Sequence, residues 1–296
     1  MTTKCGFVAI AGRPNVGKST LMNRMLGQKI SITSKRPQTT RHNITGIYTE
    51  DDIQIVFVDT PGLHLNASRA MNQYMNRSAS QAIKDVDVVL FVLEGTRWTD
   101  EDEAVAKRVG FAEAKKILVI NKEDKVQEKE ILLPFVKNIS ERFEFDEIFM
   151  VSAKTGKGVD KLVEVIGKSL PENPFFYDED QITDRSVRFL AAEIVREKLM
   201  RNLGQELPYY ITVEIEQFKE TDKLLEIGAL IWVEKKGQKK IVIGEKGAKI
   251  KDIGTQARVD MEKLFGKKVF LQTWVRVREG WSDDVRALQS LGYRDN

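Results

Sequence analysis

The chain has 296 residues, of which 42% are hydrophobic and 31% charged, with a formal net charge of +3. This apolar content excludes a disordered chain, and the length predicts two domains. The single Cys5 excludes an internal disulfide, and no apolar run reaches the roughly 18 residues that a membrane helix needs. We therefore expect a cytoplasmic protein in a reducing compartment.

Strand and helix patterns alternate through the first 170 residues. Apolar runs predict strands at Phe7–Ala11, Asp87–Leu93, Lys116–Ile120 and Phe145–Val151, and a hairpin from Asn43–Glu50 and Ile53–Val58. Helical spacing predicts helices at Gly17–Gly27, Asp100–Val109, Lys129–Phe143 and Val159–Leu170, and a loop at 28–42. Helices between buried strands predict an α/β domain, in which a mostly parallel sheet carries helices on both faces.

A linker is predicted at 171–184, between a domain at 1–170 and another at 185–296, because Pro171 and Pro174 are followed by an acidic, aperiodic stretch. The second domain is predicted to be a smaller α+β domain. Its elements are a helix at Ser186–Asn202, strands at Tyr210–Phe218, Leu225–Val233, Lys239–Ile243 and Val269–Val277, a helix at Ala248–Phe265 with a break near Gly254, and a helix at Asp283–Leu291. We assign Trp232 and Trp274 to its core rather than to base stacking.

A phosphate-binding loop is predicted between the first strand and the first helix. Its residues are Gly12, Arg13, Pro14, Asn15, Val16, Gly17, Lys18 and Ser19, with Thr20 following. The backbone N–H groups of residues 15–19 are expected to surround a phosphate at the helix N-terminus. Lys18 is expected to reach the β- and γ-phosphates, and the Ser19 hydroxyl to bind Mg²⁺.

Three further motifs follow predicted strands, at the edge where open α/β sheets bind ligands. The first motif consists of Asp59, Thr60, Pro61 and Gly62. Asp59 is expected to hold Mg²⁺ through water, and the Gly62 N–H to sense a γ-phosphate. Asn121 and Lys122 with Asp124 match the guanine-reading pattern, since a carboxylate accepts two donors that adenine does not present together. Ser152, Ala153 and Lys154 offer an N–H to the guanine oxygen. Alone, each is also explained as an ordinary turn or polar loop; in order, they predict a guanine-nucleotide site.

Residues 7 to about 170 resemble the translation-factor-type GTPases. The resemblance makes Thr40 the threonine that binds Mg²⁺ only when GTP is present, and it implies roles in hydrolysis for Lys18, Thr40, Gly62 and Asn15. Many such GTPases carry glutamine directly after the Asp-x-x-Gly motif, where this chain has Leu63. We therefore expect slow intrinsic turnover. Asn15 resembles the asparagine that helps some relatives hold K⁺ near the phosphates.

Residues 235–278 contain thirteen basic and four acidic residues, a net charge of +9 that predicts a polyanionic partner. Within them, Gly-x-x-Gly between a predicted strand and a helix resembles the KH domain, whose loop clamps four nucleotides of single-stranded RNA. The candidate RNA-binding residues are Ile243, Gly244, Glu245, Lys246, Gly247, Lys249, Ile250 and Lys251. Ile243 and Ile250 are expected to form an apolar floor. A simple turn is the alternative for the tetrapeptide alone.

The whole chain is similar to the bacterial ribosome-assembly GTPases that carry a C-terminal KH domain. This resemblance implies GTP, GDP and Mg²⁺ as ligands, binding to 16S ribosomal RNA near its 3′ end and to the 30S subunit, and peripheral contact with the inner membrane. We expect a monomer and no DNA partner. Two alternatives stay open: a nucleotide-gated binding module with negligible hydrolysis, and a GTPase that docks on a protein or an anionic membrane through its basic segment.

Overall fold

A six-stranded sheet organises the first part of the chain. The computed structural model describes residues 2–63, 68–126, 128–204 and 206–294. The strands are β1 (Lys4–Ala11), β2 (Ile44–Glu50), β3 (Ile53–Asp59), β4 (Val88–Glu94), β5 (Lys115–Asn121) and β6 (Glu147–Met150). Their order is β2-β3-β1-β4-β5-β6, and only the β2–β3 pair is antiparallel. The predicted α/β fold with a mostly parallel sheet is confirmed.

The helices of this part alternate with the strands. They are α1 (Lys18–Met25), α2 (Ala70–Ala82), α3 (Asp100–Gly110), α4 (Leu132–Ser140) and α5 (Val159–Ser169). Sequence analysis did not find α2, although Met71, Tyr74, Met75 and Ala79 are buried at helical spacing. Its asparagines and serines have low helix propensity, which hides that spacing. The helix predicted at Lys129–Phe143 is shorter, because a 3₁₀ turn at Lys129–Ile131 precedes α4.

The carboxyl ends of the central strands lie beside the end of β1. Strand β1 pairs with β3 on one side and β4 on the other, so the connections leave it in opposite directions. Open α/β sheets bind ligands outside the carboxyl ends of their strands at this reversal. β3 ends at Asp59, β4 at Glu94 and β5 at Asn121. These three side chains therefore lie at the edge where β1 leads into the phosphate loop.

The second part of the chain is an α+β unit with its own apolar core. Its elements are α6 (Val187–Asn202), β7 (Ile211–Glu220), β8 (Leu224–Val233), α7 (Lys236–Ile243), α8 (Ala248–Phe265), β9 (Lys268–Val277) and α9 (Val285–Ser290). β8 pairs antiparallel with β7 and parallel with β9. One face of this sheet packs against α6 and α8 through residues such as Leu199, Ile231 and Met261. Among the described residues, none of the helices is long and apolar enough to cross a membrane.

The strand predicted at Lys239–Ile243 is wrong, because these residues end helix α7. The Gln238 side chain accepts hydrogen bonds from the N–H groups of Glu234 and Lys235, both at 2.9 Å, at the start of this helix. Only Val242 is fully buried in α7, which suits a surface helix better than a strand in a small sheet. The Gly-x-x-Gly loop therefore lies between two helices, not between a strand and a helix.

Two smaller expectations about this unit also change. Helix α8 is continuous through Gly254. Trp232 and Trp274 are half-buried and lie on the sheet face opposite the core cluster, so their assignment to that core is wrong. The Trp232 indole N–H donates to Glu214 at 2.9 Å, and the Trp274 ring packs over Gly228.

Residues 171–184, predicted as a linker, pack along the first unit. The Gln54 side chain accepts from the Phe176 N–H at 2.9 Å and donates to the Tyr177 carbonyl at 2.9 Å. The Ile47 N–H donates to the Ile182 carbonyl at 2.9 Å. Two compact units result: Met1–Ser68 with Asn72–Asp184, and Arg69–Met71 with Arg185–Asn296. The domain bounds at 170 and 185 stay predictions.

Candidate functional site

The phosphate loop runs from the end of β1 to the start of α1, and both of its glycines are sterically required. A Cβ on Gly12 would lie 2.6 Å from the Val92 carbonyl oxygen. A Cβ on Gly17, whose φ is +104°, would lie 2.4 Å from the Asn121 amide nitrogen. Asn15 has φ of 65°, a left-handed conformation that asparagine tolerates better than most residues. The loop is therefore packed tightly against β4 and β5.

Five consecutive carbonyl oxygens of this loop accept hydrogen bonds from side chains. The pairs are Lys18 Nζ to Gly12 O and Arg13 O (2.8 and 3.0 Å), Arg13 Nη1 to Pro14 O (3.3 Å), Lys122 Nζ to Asn15 O (2.6 Å) and Asn121 Nδ2 to Val16 O (2.9 Å). In a trans peptide the following N–H points away from the carbonyl. Each N–H group that follows one of these carbonyls is therefore directed away from the side chain that holds the carbonyl. The first N–H groups of α1, where Thr20 lies, also have no partner within the helix. This arrangement suits an anion.

Lys18 is 6% exposed, and burial lowers its pKa to about 8, although Asp59 opposes the shift. At pH 8, a lysine side chain with this pKa is protonated in about half of the molecules. A phosphate placed beside it stabilises the charged form and restores the pKa toward its ordinary value. Nucleotide binding is therefore linked to proton uptake by Lys18.

We expect GDP added without Mg²⁺ to take up more protons on binding at pH 8 than at pH 6.5, where Lys18 is already charged. Calorimetry at each pH, in two buffers of different ionisation enthalpy, measures this number directly. A proton count that is the same at both pH values would contradict the assignment of Lys18 to the phosphates.

Three predicted metal-binding residues meet at one point. The Ser19 hydroxyl donates to Asp59 Oδ2 at 2.6 Å and lies 2.9 Å from the Thr40 hydroxyl, which is 3.3 Å from the same carboxylate oxygen. The Ser31 hydroxyl, which sequence analysis missed, also donates to Asp59 Oδ2, at 2.8 Å. The other oxygen, Oδ1, is buried with no hydrogen-bond partner in the described ranges.

This cluster fits Mg²⁺. Hydroxyl and carboxylate oxygens are its preferred ligands, and a buried, unpartnered carboxylate oxygen is costly unless something fills its valence. Burial raises the pKa of Asp59 in spite of hydrogen bonds from Ser19, Ser31 and Thr40. The carboxylate is therefore held where a cation would stabilise it.

The Asp-x-x-Gly turn packs directly on the phosphate loop. The Thr60 hydroxyl donates to the Ile10 carbonyl at 2.8 Å, and Pro61 is buried. A Cβ on Gly62 would lie 2.7 Å from the Pro14 backbone nitrogen, so only glycine fits this approach. The next residue, Leu63, is 3% exposed and belongs to an apolar cluster of the first unit. Its side chain therefore has neither the chemistry nor the position to orient water.

The predicted guanine-reading residues are brought together at the ends of β5 and β6. Asn121 accepts from the N–H groups of Lys122 and Ala153, at 2.8 and 3.0 Å, so its amide joins the two segments. Asp124 is exposed, and a 2.6 Å hydrogen bond from the Ser152 hydroxyl lowers its pKa. An ionised, oriented carboxylate open to solvent is what reading two guanine donors needs.

Lys154 is exposed, and its carbonyl accepts a hydrogen bond from Arg24 Nη2 at 2.7 Å. Arg24 Nε also donates to the Ala153 carbonyl, at 3.1 Å. Helix α1, which begins at the phosphate loop, therefore also positions the segment predicted to meet the guanine oxygen.

A series of ion pairs and hydrogen bonds, which sequence analysis missed, connects the phosphate loop with the guanine-reading segment. Arg13 Nε donates to Asp102 at 3.0 Å, and its Nη2 donates to Glu94 at 3.2 Å. Glu94 also pairs with Lys122 at 2.7 Å, and Lys122 in turn holds the Asn15 carbonyl. Burial alone would raise the pKa of Glu94, but hydrogen bonds from Lys122 and Arg13 outweigh it and lower the pKa. No local motif signals this chain, because its members come from four separate segments.

The candidate RNA loop has the backbone that its glycines predict. Gly244 has φ of +73°, and a Cβ there would lie 2.6 Å from the Lys249 Cβ. Gly247 has φ of +80° with open space around it. Glu245, Lys246 and Lys251 are exposed. Ile243 and Ile250 are half-buried and pack against the core cluster, so part of each side chain is available to a ligand.

Comparisons with known proteins agree with both halves of this description. A family model described as "50S ribosome-binding GTPase" matches residues 7–122, and one described as "KH domain" matches residues 206–282. The chain is 58% identical to GTPase Era of Pseudomonas entomophila over 294 residues, which covers 99% of this chain and 98% of that relative. It is also 58% identical to GTPase Era of Pseudomonas putida over 293 residues, covering 99% and 97%.

Solved structures extend the similarity to three dimensions. A crystal structure of a point variant of Aquifex aeolicus Era bound to GDP and AlF4⁻ matches with a TM-score of 0.95 and 38% identity, over 99% of this chain and 100% of that one. A structure of Era with MgGDPNP and nucleotides 1506–1542 of 16S ribosomal RNA matches equally well, with the same TM-score, identity and coverage. With a GTPase-type nucleotide site in the first unit, a KH-type loop in the second and relatives that match from end to end, this chain belongs to the Era family of GTPases.

Proposed function

We propose that the chain is a GTP-hydrolysing switch that binds 16S ribosomal RNA near its 3′ end and acts in assembly of the small (30S) ribosomal subunit. The observation that carries the GTP half is the meeting of Ser19, Thr40 and Asp59 beside Lys18. Thr40 lies in a loop without regular structure, so a ligand that draws its hydroxyl to the metal also fixes that loop.

Each proposed site residue has a task that its contacts support. The phosphate-loop N–H groups and Lys18 bind the phosphates, and Asn121, Lys122, Asp124 and Ser152–Lys154 orient the base. Mg²⁺, when bound through Ser19, Thr40 and Asp59, neutralises charge on the β- and γ-phosphates. Gly62 packs closely against Pro14 of the phosphate loop, which supports a role for its N–H in sensing the γ-phosphate. Loss of that phosphate releases the Thr40 and Gly62 segments, which is the switch.

Turnover is expected to be slow, because Leu63 is buried and cannot orient the attacking water. In other GTPases a glutamine orients the attacking water. Here backbone groups, a bound cation or a partner must do so. The alternative is a nucleotide-gated binding module with negligible hydrolysis. Single-turnover phosphate release, measured with and without RNA, separates the two.

Asn15 supports a role for K⁺ in this reaction. Its backbone is left-handed, and its carbonyl accepts a hydrogen bond from Lys122 at 2.6 Å. A monovalent cation held there would stabilise transition-state charge as an arginine finger does. We expect GTP turnover in KCl to exceed turnover in NaCl by about 10-fold, and Asn15→Ala to abolish the difference. Equal rates in the two salts would show that K⁺ has no specific role in hydrolysis.

The Gly-x-x-Gly loop supports the RNA half of the proposal. A fluorescent single-stranded RNA spanning the segment bound by the Era relative, nucleotides 1506–1542, is the probe. We expect Gly247→Asp to weaken its binding strongly, because the aspartate strains a left-handed position and adds a negative charge where phosphates approach. Wild-type affinity in that variant would contradict the clamp. RNA should also displace any protein or anionic vesicle that binds the basic segment.

We infer a cytoplasmic location, because the proposed function is carried out on the small ribosomal subunit. Peripheral contact with the inner membrane, a monomeric state and the lack of a DNA partner stay predictions. Sedimentation of the purified protein with anionic vesicles tests the membrane contact, and sedimentation with DNA tests the lack of a DNA partner.

A further inference from the structure

Arg24 lies in the last turn of α1 and contacts a segment that begins 129 residues further along the chain. A basic side chain at this place in a helix is common, because it faces the negative end of the helix dipole. Here the guanidinium group also donates through Nε to the Ala153 carbonyl at 3.1 Å, and through Nη2 to the Lys154 carbonyl at 2.7 Å. One side chain therefore holds two successive peptide groups of the base-reading segment.

Helix α1 is a rigid support for these two hydrogen bonds. Leu21, Met22 and Met25 are buried in the first unit, so the helix cannot shift without disturbing a packed core. Arg24 is exposed on the remaining side of the helix. The Ala153–Lys154 carbonyls are therefore fixed to the same helix that begins at the phosphate loop.

The Arg24 contacts also set the direction of the N–H groups in this segment. The Ala153 carbonyl and the Lys154 N–H belong to one trans peptide group and point in opposite directions. The Lys154 N–H is therefore directed away from Arg24, and in the part of the chain that the structure describes it has no hydrogen-bond partner. The Ala153 N–H donates to Asn121 Oδ1 at 3.0 Å, so it faces the base-reading motif.

The preceding residue, Ser152, is held by contacts in which Arg24 takes no part. The Ser152 N–H donates to the Lys157 carbonyl at 3.0 Å, and the Ser152 carbonyl accepts from the Gly156 N–H at 2.8 Å. The Ser152 hydroxyl donates to Asp124 Oδ1 at 2.6 Å. The carboxylate expected to read the N1–H and the 2-amino group of guanine is therefore oriented independently of Arg24.

From these two sets of contacts we propose that Arg24 is a positioning residue that sets the specificity of the site for the oxygen at position 6 of guanine. The N–H groups of Ala153 and Lys154 are the donors for that oxygen, and Arg24 holds their peptide groups in place. Asp124 reads position 2 without its help. The inference rests on the proposed binding of guanine nucleotides, and it adds a specificity residue that lies outside the four nucleotide motifs.

Three variants of the full chain test this role. Arg24→Ala removes both hydrogen bonds and keeps a residue that suits a helix, and because Arg24 is exposed the protein should fold. Arg24→Lys keeps a charged donor on the same helix. Arg108→Ala is the matched control, since Arg108 is also an exposed arginine in the last turn of a helix of the first unit, α3. Circular dichroism checks that each variant is folded.

Two analogues of GDP separate the two ring positions. Inosine diphosphate (IDP) lacks the 2-amino group and keeps N1–H and the oxygen at position 6. The analogue 6-thio-GDP keeps N1–H and the 2-amino group, but it carries sulfur at position 6, which is larger than oxygen and a weaker hydrogen-bond acceptor. Calorimetry with GDP and each analogue gives the preference at each position on the same protein.

We expect the wild-type protein to prefer GDP over 6-thio-GDP by about 10-fold, the size expected when one hydrogen bond to an uncharged group is lost. In Arg24→Ala this preference should fall to about threefold or less, because the segment can then move to accept sulfur. The preference for GDP over IDP should stay within about twofold of the wild-type value. Arg24→Lys should retain at least about half of the preference over 6-thio-GDP, and Arg108→Ala should retain both preferences in full.

Each contrary result has a distinct meaning. If Arg24→Ala keeps the wild-type preference over 6-thio-GDP, Arg24 does not set the contact with the oxygen. If its preferences over both analogues fall equally, Arg24 supports the base site as a whole, and the assignment to position 6 is wrong. If the wild-type protein binds GDP and 6-thio-GDP equally, the inference fails while the proposed nucleotide function stands. If the wild-type protein binds no guanine nucleotide, the proposed function itself fails, and the inference fails with it.

Discussion

Asp124→Asn should weaken GDP binding by about 100-fold or more and allow xanthine nucleotides to bind. The proposed carboxylate accepts two guanine donors, and each charge-assisted hydrogen bond contributes about 1.5–3 kcal/mol. Asparagine replaces one acceptor with a donor, which suits the second carbonyl of xanthine. Because Asp124 is exposed and its carboxylate accepts a hydrogen bond from the exchangeable Ser152 hydroxyl, which an amide oxygen can also accept, the fold should survive the change.

Calorimetry with GDP and XDP measures both affinities on the same protein. Asp85→Asn is the matched control, since Asp85 is also an exposed aspartate of the first unit. We expect that control to bind GDP as the wild type does. An Asp124→Asn protein that keeps its preference for guanine over xanthine would show that another group reads the base.

Asp59→Asn should lower Mg²⁺-dependent hydrolysis by about 100-fold or more and, at neutral pH, raise the thermal stability of the metal-free protein. Burial raises the pKa of Asp59 above its value in the unfolded chain. The contribution of such a carboxyl group to stability is therefore complete below the unfolded-state pKa, about 3.9, and is lost as pH rises through the folded-state pKa. Once the carboxyl group ionises as pH rises, it carries the cost of burial in the metal-free fold, and the neutral amide removes that cost.

Two measurements separate these effects. Thermal unfolding without nucleotide or metal should give a higher melting temperature for Asp59→Asn at pH 7.5, and the difference should shrink as pH is lowered. Turnover in the presence of Mg²⁺ should fall by about 100-fold or more, as when one electrostatic group is removed from a transition-state site. A variant that hydrolyses GTP with the wild-type Mg²⁺ requirement would place the metal elsewhere.

Local patterns were sufficient for the parts of the structure where chemistry and conformation lie in one segment. The phosphate loop combines glycines, a lysine and a serine within eight residues, and the structure packs those glycines as tightly as the pattern requires. The sheet was predictable because its strands are short apolar runs, such as Val88–Leu93, in which every residue is buried.

Features that depend on distant partners were not predictable. Ser31, Glu94 and Asp102 have no motif, and only the folded chain brings them to Asp59, Lys122 and Arg13. Helix α7 was mistaken for a strand because its last three residues, Ile241, Val242 and Ile243, are β-branched. The capping contacts of Gln238 and the packing of Val242 outweigh that preference.

The proposed nucleotide site is tested most directly by titrating GDP and a non-hydrolysable GTP analogue, with Mg²⁺, into the wild-type protein and Lys18→Ala. We expect heat of binding from both nucleotides in the wild type, none from ATP, and a loss of affinity of about 100-fold or more in the variant, with circular dichroism checking that the variant is folded. Undiminished binding to Lys18→Ala, or no heat in the wild type, would contradict the proposal that the loop from Gly12 to Ser19 encloses the phosphates.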